Sequence, residues 1–394
     1  MTDFLATLRP EALSAPPSGI VDVMNYGRLR EGMIPLWAGE GDLPTPAFVC
    51  EAATRSLAAG ETFYTWQRGI PELRQALARW HAGQYGGEFA PERFFVTASG
   101  MQAIQIVATA LLGPGDEAIL PTPAWPNSAA AIGIRGARVV DVAMTFGNRG
   151  WTLDVDRLAA AVGPKTKAIV LNSPANPTGW TATRDELAAI LEIARRHGLW
   201  IVADEVYSRF VWDGSARAPS FHDVADADDK VVYVNTFSKN WAMTGWRVGW
   251  IEAPPAMGDV IENLIQYSTS GVAVFVQRGA VAALDHGEGF LAHQIRRIAE
   301  SRKILCGAIA ATGRARFVAP TGAFYLFFGV EGEDDTSALG RRLVDEAAIG
   351  LAPGTAFGAA GNGFMRLCYA RGPESMREAS ARLADWLTRR SHGA

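Results

Sequence analysis

The chain has 394 residues, 48% hydrophobic and 20% charged, which excludes disordered, fibrous and low-complexity proteins and leaves an ordinary globular one. Its length favours two domains over a single core. With a formal net charge of −4 and no Lys/Arg cluster interleaved with aromatics, a nucleic-acid partner is excluded, and no apolar run approaches the roughly 20 residues of a membrane span.

The N-terminal M-T-D-F-L-A-T-L-R-P holds an acid at its third position and no apolar run fit for a signal peptide, so a cytoplasmic protein is expected. Cys50, Cys306 and Cys368 are odd in number, far apart and without C-x-x-C spacing, and read as reduced thiols. Rich in loops, with P-P-S-G and P-L-W-A-G-E-G-D-L-P-T-P, residues 1–40 are expected to pack on a smaller domain. From 94 to 251, short β-branched or aromatic runs alternate with helical ones, the pattern of a parallel sheet with crossover helices. Strands are predicted at 94–97, 117–120, 137–141, 167–171, 199–203, 231–235 and 247–251, with helices at 102–112, 127–133, 155–162 and 184–197 between them. Further on, the pattern predicts long amphipathic helices at 257–284 and 290–311, a strand in F-Y-L-F-F, a helix, and a final strand and helix. The expected fold class is therefore α/β, a mostly parallel central sheet flanked by helices, joined to a smaller α+β domain. A boundary near 285 would give a large domain over 41–285 and a small one over 286–394. No internal repeat is present, and D-A-D-D-K at 226–230 reads as a solvated loop.

In open sheets of this kind ligands collect beyond the carboxyl ends of the strands, and there the polar residues concentrate. V-V-Y-V-N runs into T-F-S-K-N-W-A-M-T-G-W-R, placing Lys239 directly after a buried-looking strand, where an ammonium normally finds no reason to be. Arg247 follows eight residues later. V-T-A-S-G-M-Q turns a strand into a helix through Ser99 and Gly100, offering unpaired backbone N–H groups to a phosphate, although a plain serine N-cap explains it equally well. Thr236, Ser238 and Arg247 could converge on the same anion. In A-D-E-V-Y, Asp204 ends an apolar strand, where a carboxylate is costly unless it meets a cation or proton donor such as a protonated ring nitrogen. The alternative is an aspartate helix cap. Tyr207 reads as core filler or as a phenol donor to a ring oxygen.

N-S-P-A-N-P-T-G at 172–179 is a rigid turn that presents Asn176. Trp125 could stack on a heteroaromatic ring, although with twelve tryptophans packing is the default. The glycines of P-G-T-A-F-G-A-A-G-N-G-F-M-R-L-C-Y do not make a dinucleotide fingerprint, because they feed an alternating strand instead of opening a helix. That strand carries Arg366, either a carboxylate-binding fork or a surface arginine.

On N-P-T-G, D-E-V-Y and S-K-N-W-A-M-T-G-W-R, the chain resembles the class I/II aminotransferases of the fold-type I pyridoxal phosphate enzymes, in consistent order from about Pro35 onward. The resemblance implies that Lys239 bonds pyridoxal 5′-phosphate, Asp204 pairs with its ring nitrogen, Tyr207 and Asn176 donate to its ring hydroxyl oxygen, and Trp125 stacks on it. Phosphate contacts would come from Ser99, Gly100, Met101, Thr236, Ser238 and Arg247, with Tyr64 reaching in from a second subunit of a homodimer. Arg366, helped by Asn176 and the backbone of Gly39, would hold the substrate α-carboxylate. The implied activity is ping-pong transfer of an amino group from an L-amino acid to a 2-oxo acid, with no metal. A lyase or decarboxylase of the same fold, or a binding protein that keeps the shape, are the alternatives. Met101 stands where some similar bacterial aspartate aminotransferases carry a lysine, which leans the expected substrate toward apolar or aromatic side chains, with Trp37, Trp66 and Trp125 nearby.

Overall fold

The computed structural model describes residues 4–389; the first three residues of the N-terminal stretch and the last five of the chain lie outside it. Seven strands form the main sheet, in the spatial order Phe94–Thr97, Gly249–Glu252, Val231–Thr236, Trp200–Asp204, Thr166–Asn172, Glu117–Thr122 and Arg138–Ala143. Only Gly249–Glu252 runs antiparallel to its neighbours. Alternate residues of these strands enter two separate cores. Ile119, Ile169, Ile201 and Val231 lie on one side, and Ala118, Val170, Val202 and Val234 on the other. A sheet covered on both faces reads as continuous β-branched runs, as these strands do.

A second sheet places Ala315–Arg316, Tyr325–Val330, Met365–Cys368 and Ala352–Pro353 side by side, all antiparallel. One of its faces, with Leu326, Phe328, Met365 and Leu367, packs on Leu291, Leu343 and Leu383 of the C-terminal helices. From its other face Phe327 joins a core of the main sheet. Near the N-terminus, Ile34–Pro35 pairs in parallel with Ile349–Gly350, and the helix Gly19–Gly27 packs against Thr336–Ala347.

Three expectations need correction. The helix expected over 257–284 is two helices, Gly258–Gln266 and Val274–His286, because Ser270 and Gly271 both take positive φ and break it. The strand expected from 247 starts at Gly249, since Arg247 sits in the left-handed region. The strand carrying Arg366 does not alternate between core and solvent: all four of its residues are buried, and Arg366, 2% exposed, is no surface arginine.

Candidate active site

The carboxyl ends of the parallel strands open on one edge, and Asn172, Asp204 and Val234 are linked there in register. Beyond that edge lies a cavity of about 480 Å³. Every site residue expected from the sequence lines it except Tyr64, which is 95% exposed on another face.

Two turns build one end of the cavity. Ser99 caps the helix Gly100–Leu111, its Oγ accepting from Gln102 N, while its backbone holds a φ of +114° that serine rarely adopts. Thr236 ends its strand and caps the short helix Phe237–Asn240 that carries Lys239, and its hydroxyl donates to Ser238 Oγ at 2.9 Å. Gly249 lets the two turns meet: a Cβ there would stand 2.6 Å from the Asn235 carbonyl and 2.8 Å from Gly100 N. Arg247, at φ +53°, donates from Nη1 to the Thr244 carbonyl at 2.7 Å. Backbone N–H groups, hydroxyls and a guanidinium thus border one space, a donor set suited to a phosphate.

The floor carries the titrating groups. Lys239 Nζ donates to the Gly39 carbonyl at 2.6 Å and, among the described residues, forms no ion pair; burial lowers its pKa to about 8. Asp204 is 3% exposed, and its Oδ1 accepts only a long 3.4 Å bond from Val206 N. Among the described residues no cation pairs with it, so burial raises its carboxyl to about 7 in spite of Lys239 nearby. It caps no helix. Tyr207 shares a hydrogen bond with the Tyr325 hydroxyl at 2.7 Å, and burial pushes its phenol up.

Arg366 Nη1 donates to Asn176 Oδ1 at 2.9 Å and Nη2 to the Trp37 carbonyl, while Nε has no partner. Asn176 is held in turn, its N–H donating to Asn172 Oδ1 at 2.8 Å. Trp125 is half-buried beside this group. Of the other two expected tryptophans, Trp37 lines the cavity and Trp66 does not. Trp37 packs its ring where Cβ atoms at Gly27 and Gly350 would be, and Trp66 is 63% exposed elsewhere.

Sequence reasoning missed Asn172, Tyr325 and the helix start at Ser18, Ile20 and Val21, all of which line the cavity. Tyr325 had one signal, a polar tip inside the apolar run F-Y-L-F-F. Nothing local points Ile20 toward a site 200 residues away.

A second polar cluster, none of whose members lines the cavity, joins His81 Nδ1 and His222 Nε2 to Glu252 Oε2, each at 3.1 Å. The indole N–H of Trp250 donates to His81 Nε2, so the His81 proton sits on Nδ1, where a metal would need a lone pair. Arg93 supplies Glu252 with its counter-charge at 3.0 Å.

The fold and cavity together define a fold-type I aminotransferase. The chain superposes on Thermus thermophilus aspartate aminotransferase with maleate at a TM-score of 0.89 and 33% identity, covering 96% of this chain and 99% of that one. Pyrococcus furiosus alanine aminotransferase superposes at a TM-score of 0.90 with 26% identity, over 97% and 100% of the two chains. The family model for aminotransferase class I and II matches residues 31–383, and the chain belongs to that family. Among its relatives, an aspartate aminotransferase of Thermotoga maritima is 35% identical, covering 91% of this chain and 93% of its own. An arginine–pyruvate transaminase of Pseudomonas aeruginosa is 34% identical over 90% of each.

Proposed function

We propose that the cavity binds pyridoxal 5′-phosphate on Lys239 and passes an amino group from an L-amino acid to a 2-oxo acid. The observation that carries this reading is Asp204, a buried carboxylate that no cation among the described residues pairs with, beside a lysine that forms no ion pair among them. Such a carboxylate fits a protonated ring nitrogen. When bound, the cofactor supplies an electron-withdrawing ring that stabilises negative charge at the substrate α-carbon.

The chain's own residues divide the remaining work. Asp204 keeps the ring nitrogen protonated, Tyr207 and Asn176 hold the ring hydroxyl oxygen, and Trp125 stacks on one face. Ser99, Gly100, Met101, Thr236, Ser238 and Arg247 hold the phosphate. Arg366, steadied by Asn176 and the Trp37 carbonyl, takes the substrate α-carboxylate beside the Gly39 backbone. Lys239, as a free amine, removes the proton from the α-carbon and returns it elsewhere as general base and then acid. A second 2-oxo acid takes the amino group in the return half-reaction, giving ping-pong kinetics.

The working unit in this reading is a cytoplasmic homodimer whose subunits divide into segments 1–40, 41–285 and 286–394. Phe63, Tyr64, Trp66 and Tyr267, 83%, 95%, 63% and 86% exposed, support it, because aromatic groups so open to water are what a second copy would cover. Among the described residues, no helix is long and apolar enough to cross a membrane.

Pyridoxal 5′-phosphate added to the purified protein should give a visible absorbance band that Lys239→Ala abolishes. An L-amino acid should then convert that spectrum to the amine form and release one equivalent of 2-oxo acid. Release of ammonia or carbon dioxide selects a lyase or decarboxylase, and no band at all removes every reading that uses this cofactor.

A further inference from the structure

The relatives with printed substrates include enzymes for aspartate and for arginine, so the side-chain class has to be argued from this cavity. Its cations, among the described residues that line it, are Lys239, Arg247 and Arg366. The proposed function, on which this inference rests, uses all three. A carboxylate on the substrate side chain would therefore meet no free positive charge in this subunit.

The wall left for the side chain is apolar. Ile20, Val21, Met101 and Trp125 line it together with the neutral Ser18 and Asn127. Ser18 Oγ accepts from Val21 N and Asn127 Nδ2 donates to Met101 Sδ at 3.5 Å; both keep a hydrogen to donate, but neither offers a carboxylate any positive charge. One feature favours an anion, the start of the helix Gly19–Gly27. It is capped by Ser18 and carries Asp22 in its first turn, so little of its positive end is left. Two further acids, Glu40 and Asp204, line the cavity as well and oppose a second carboxylate.

A second subunit could bring a cation, but the arginines Arg68 and Arg278 beside the exposed aromatic residues each already hold two carboxylates. Arg68 pairs with Asp259 and Glu262 at 2.8 and 2.5 Å. Arg278 pairs with Glu61 and Glu72 at 2.8 and 2.9 Å. We infer that this enzyme takes L-amino acids with large uncharged apolar or aromatic side chains, and that Val21 and Met101 hold it to that class by leaving a dicarboxylic donor unpaired.

The test is the half-reaction of the cofactor-loaded enzyme with leucine, methionine, phenylalanine, tyrosine, aspartate, glutamate and arginine, each read as kcat/KM from the spectral change. At least one of the first four should exceed every charged donor by about tenfold or more, since an unpaired carboxylate in an apolar site is costly. Val21 is 43% exposed, so Val21→Lys keeps the fold, and Met101→Lys places a cation deeper. At least one of them should raise the aspartate-to-phenylalanine ratio about tenfold. A charged donor that outruns all four apolar ones in the unaltered enzyme overturns this inference alone, as does a ratio unchanged in both variants. No conversion with any donor overturns the proposed function and this inference with it.

Discussion

At the residue scale, burial in the cavity shifts a lysine and an aspartate toward their neutral forms. With a pKa of about 8, Lys239 gains free amine as pH rises through that value, so the rate of cofactor capture should climb across it. Stopped-flow absorbance from about pH 6 to 10 checks the midpoint; a rate still climbing at 10 would show an ordinary lysine. Asp204 titrates at about 7 against its usual 3.8. Without cofactor, the folded state keeps a proton the unfolded chain loses, so this group's contribution to stability is present below 3.8 and is lost as pH rises to about 7. Cofactor-free Asp204→Asn should therefore melt above the unaltered protein at about pH 8 and level with it near pH 4. The same variant should bind cofactor yet lose about a hundredfold or more in kcat, because it no longer holds a charge against the ring nitrogen. Unaltered kcat would remove Asp204 from the proposed mechanism.

At the element scale, the proposed phosphate end depends on the close approach of Gly249 to the turn after Phe94–Thr97. Gly249→Ala, with its Cβ 2.8 Å from Gly100 N, should push that turn out of place. Cofactor affinity should fall at least about tenfold, with a loss of roughly 1–3 kcal/mol in stability, as for other overpacked sites. The buried Glu252 cluster holds the same strand from its other end. Burial pushes Glu252 up, but His222 and His81 beside it hold its carboxyl well below the usual 4.5. Its contribution is present above about 4.5 and is lost as pH falls through the folded value, while His81, pushed below 6.5 by burial, adds a loss that starts nearer neutrality. Glu252→Gln should lose about 3 kcal/mol at pH 7 by leaving Arg93 without its partner. Its melting temperature should also vary less between about pH 4 and 7.

At the scale of the whole molecule, the second copy is the part of the proposal with the clearest readout. Tyr64→Phe removes a hydroxyl that reaches nothing in its own subunit's cavity. It should weaken cofactor binding several-fold while light scattering still reports a dimer. A fully active monomer would refute the shared site.

The helix Arg184–His197 was legible to the residue, because its Thr183–Glu186 capping box and Gly198 mark both ends. The buried strands were legible too, since a sheet covered on both faces demands unbroken apolar runs. Lys239, Asp204, Asn176 and Ser99 announced themselves by being polar just beyond such runs. Other features were less plainly marked. The break at Ser270–Gly271 has its mark in S-T-S-G at 268–271, a polar run inside the expected helix. Tyr325 and Ile20 reach the cavity only because the second sheet and the N-terminal helix fold over the edge of the first. By itself the sequence determined the fold class and the groups proposed to hold the cofactor, because burying a charged or polar group beside a strand end leaves a chemical mark within a few residues. Only the tertiary structure decided that Arg366 is buried and aimed inward, that Trp66 lies away from the cavity, and that the remaining wall is apolar. Those facts are sums over segments far apart in the chain, and no local pattern records them.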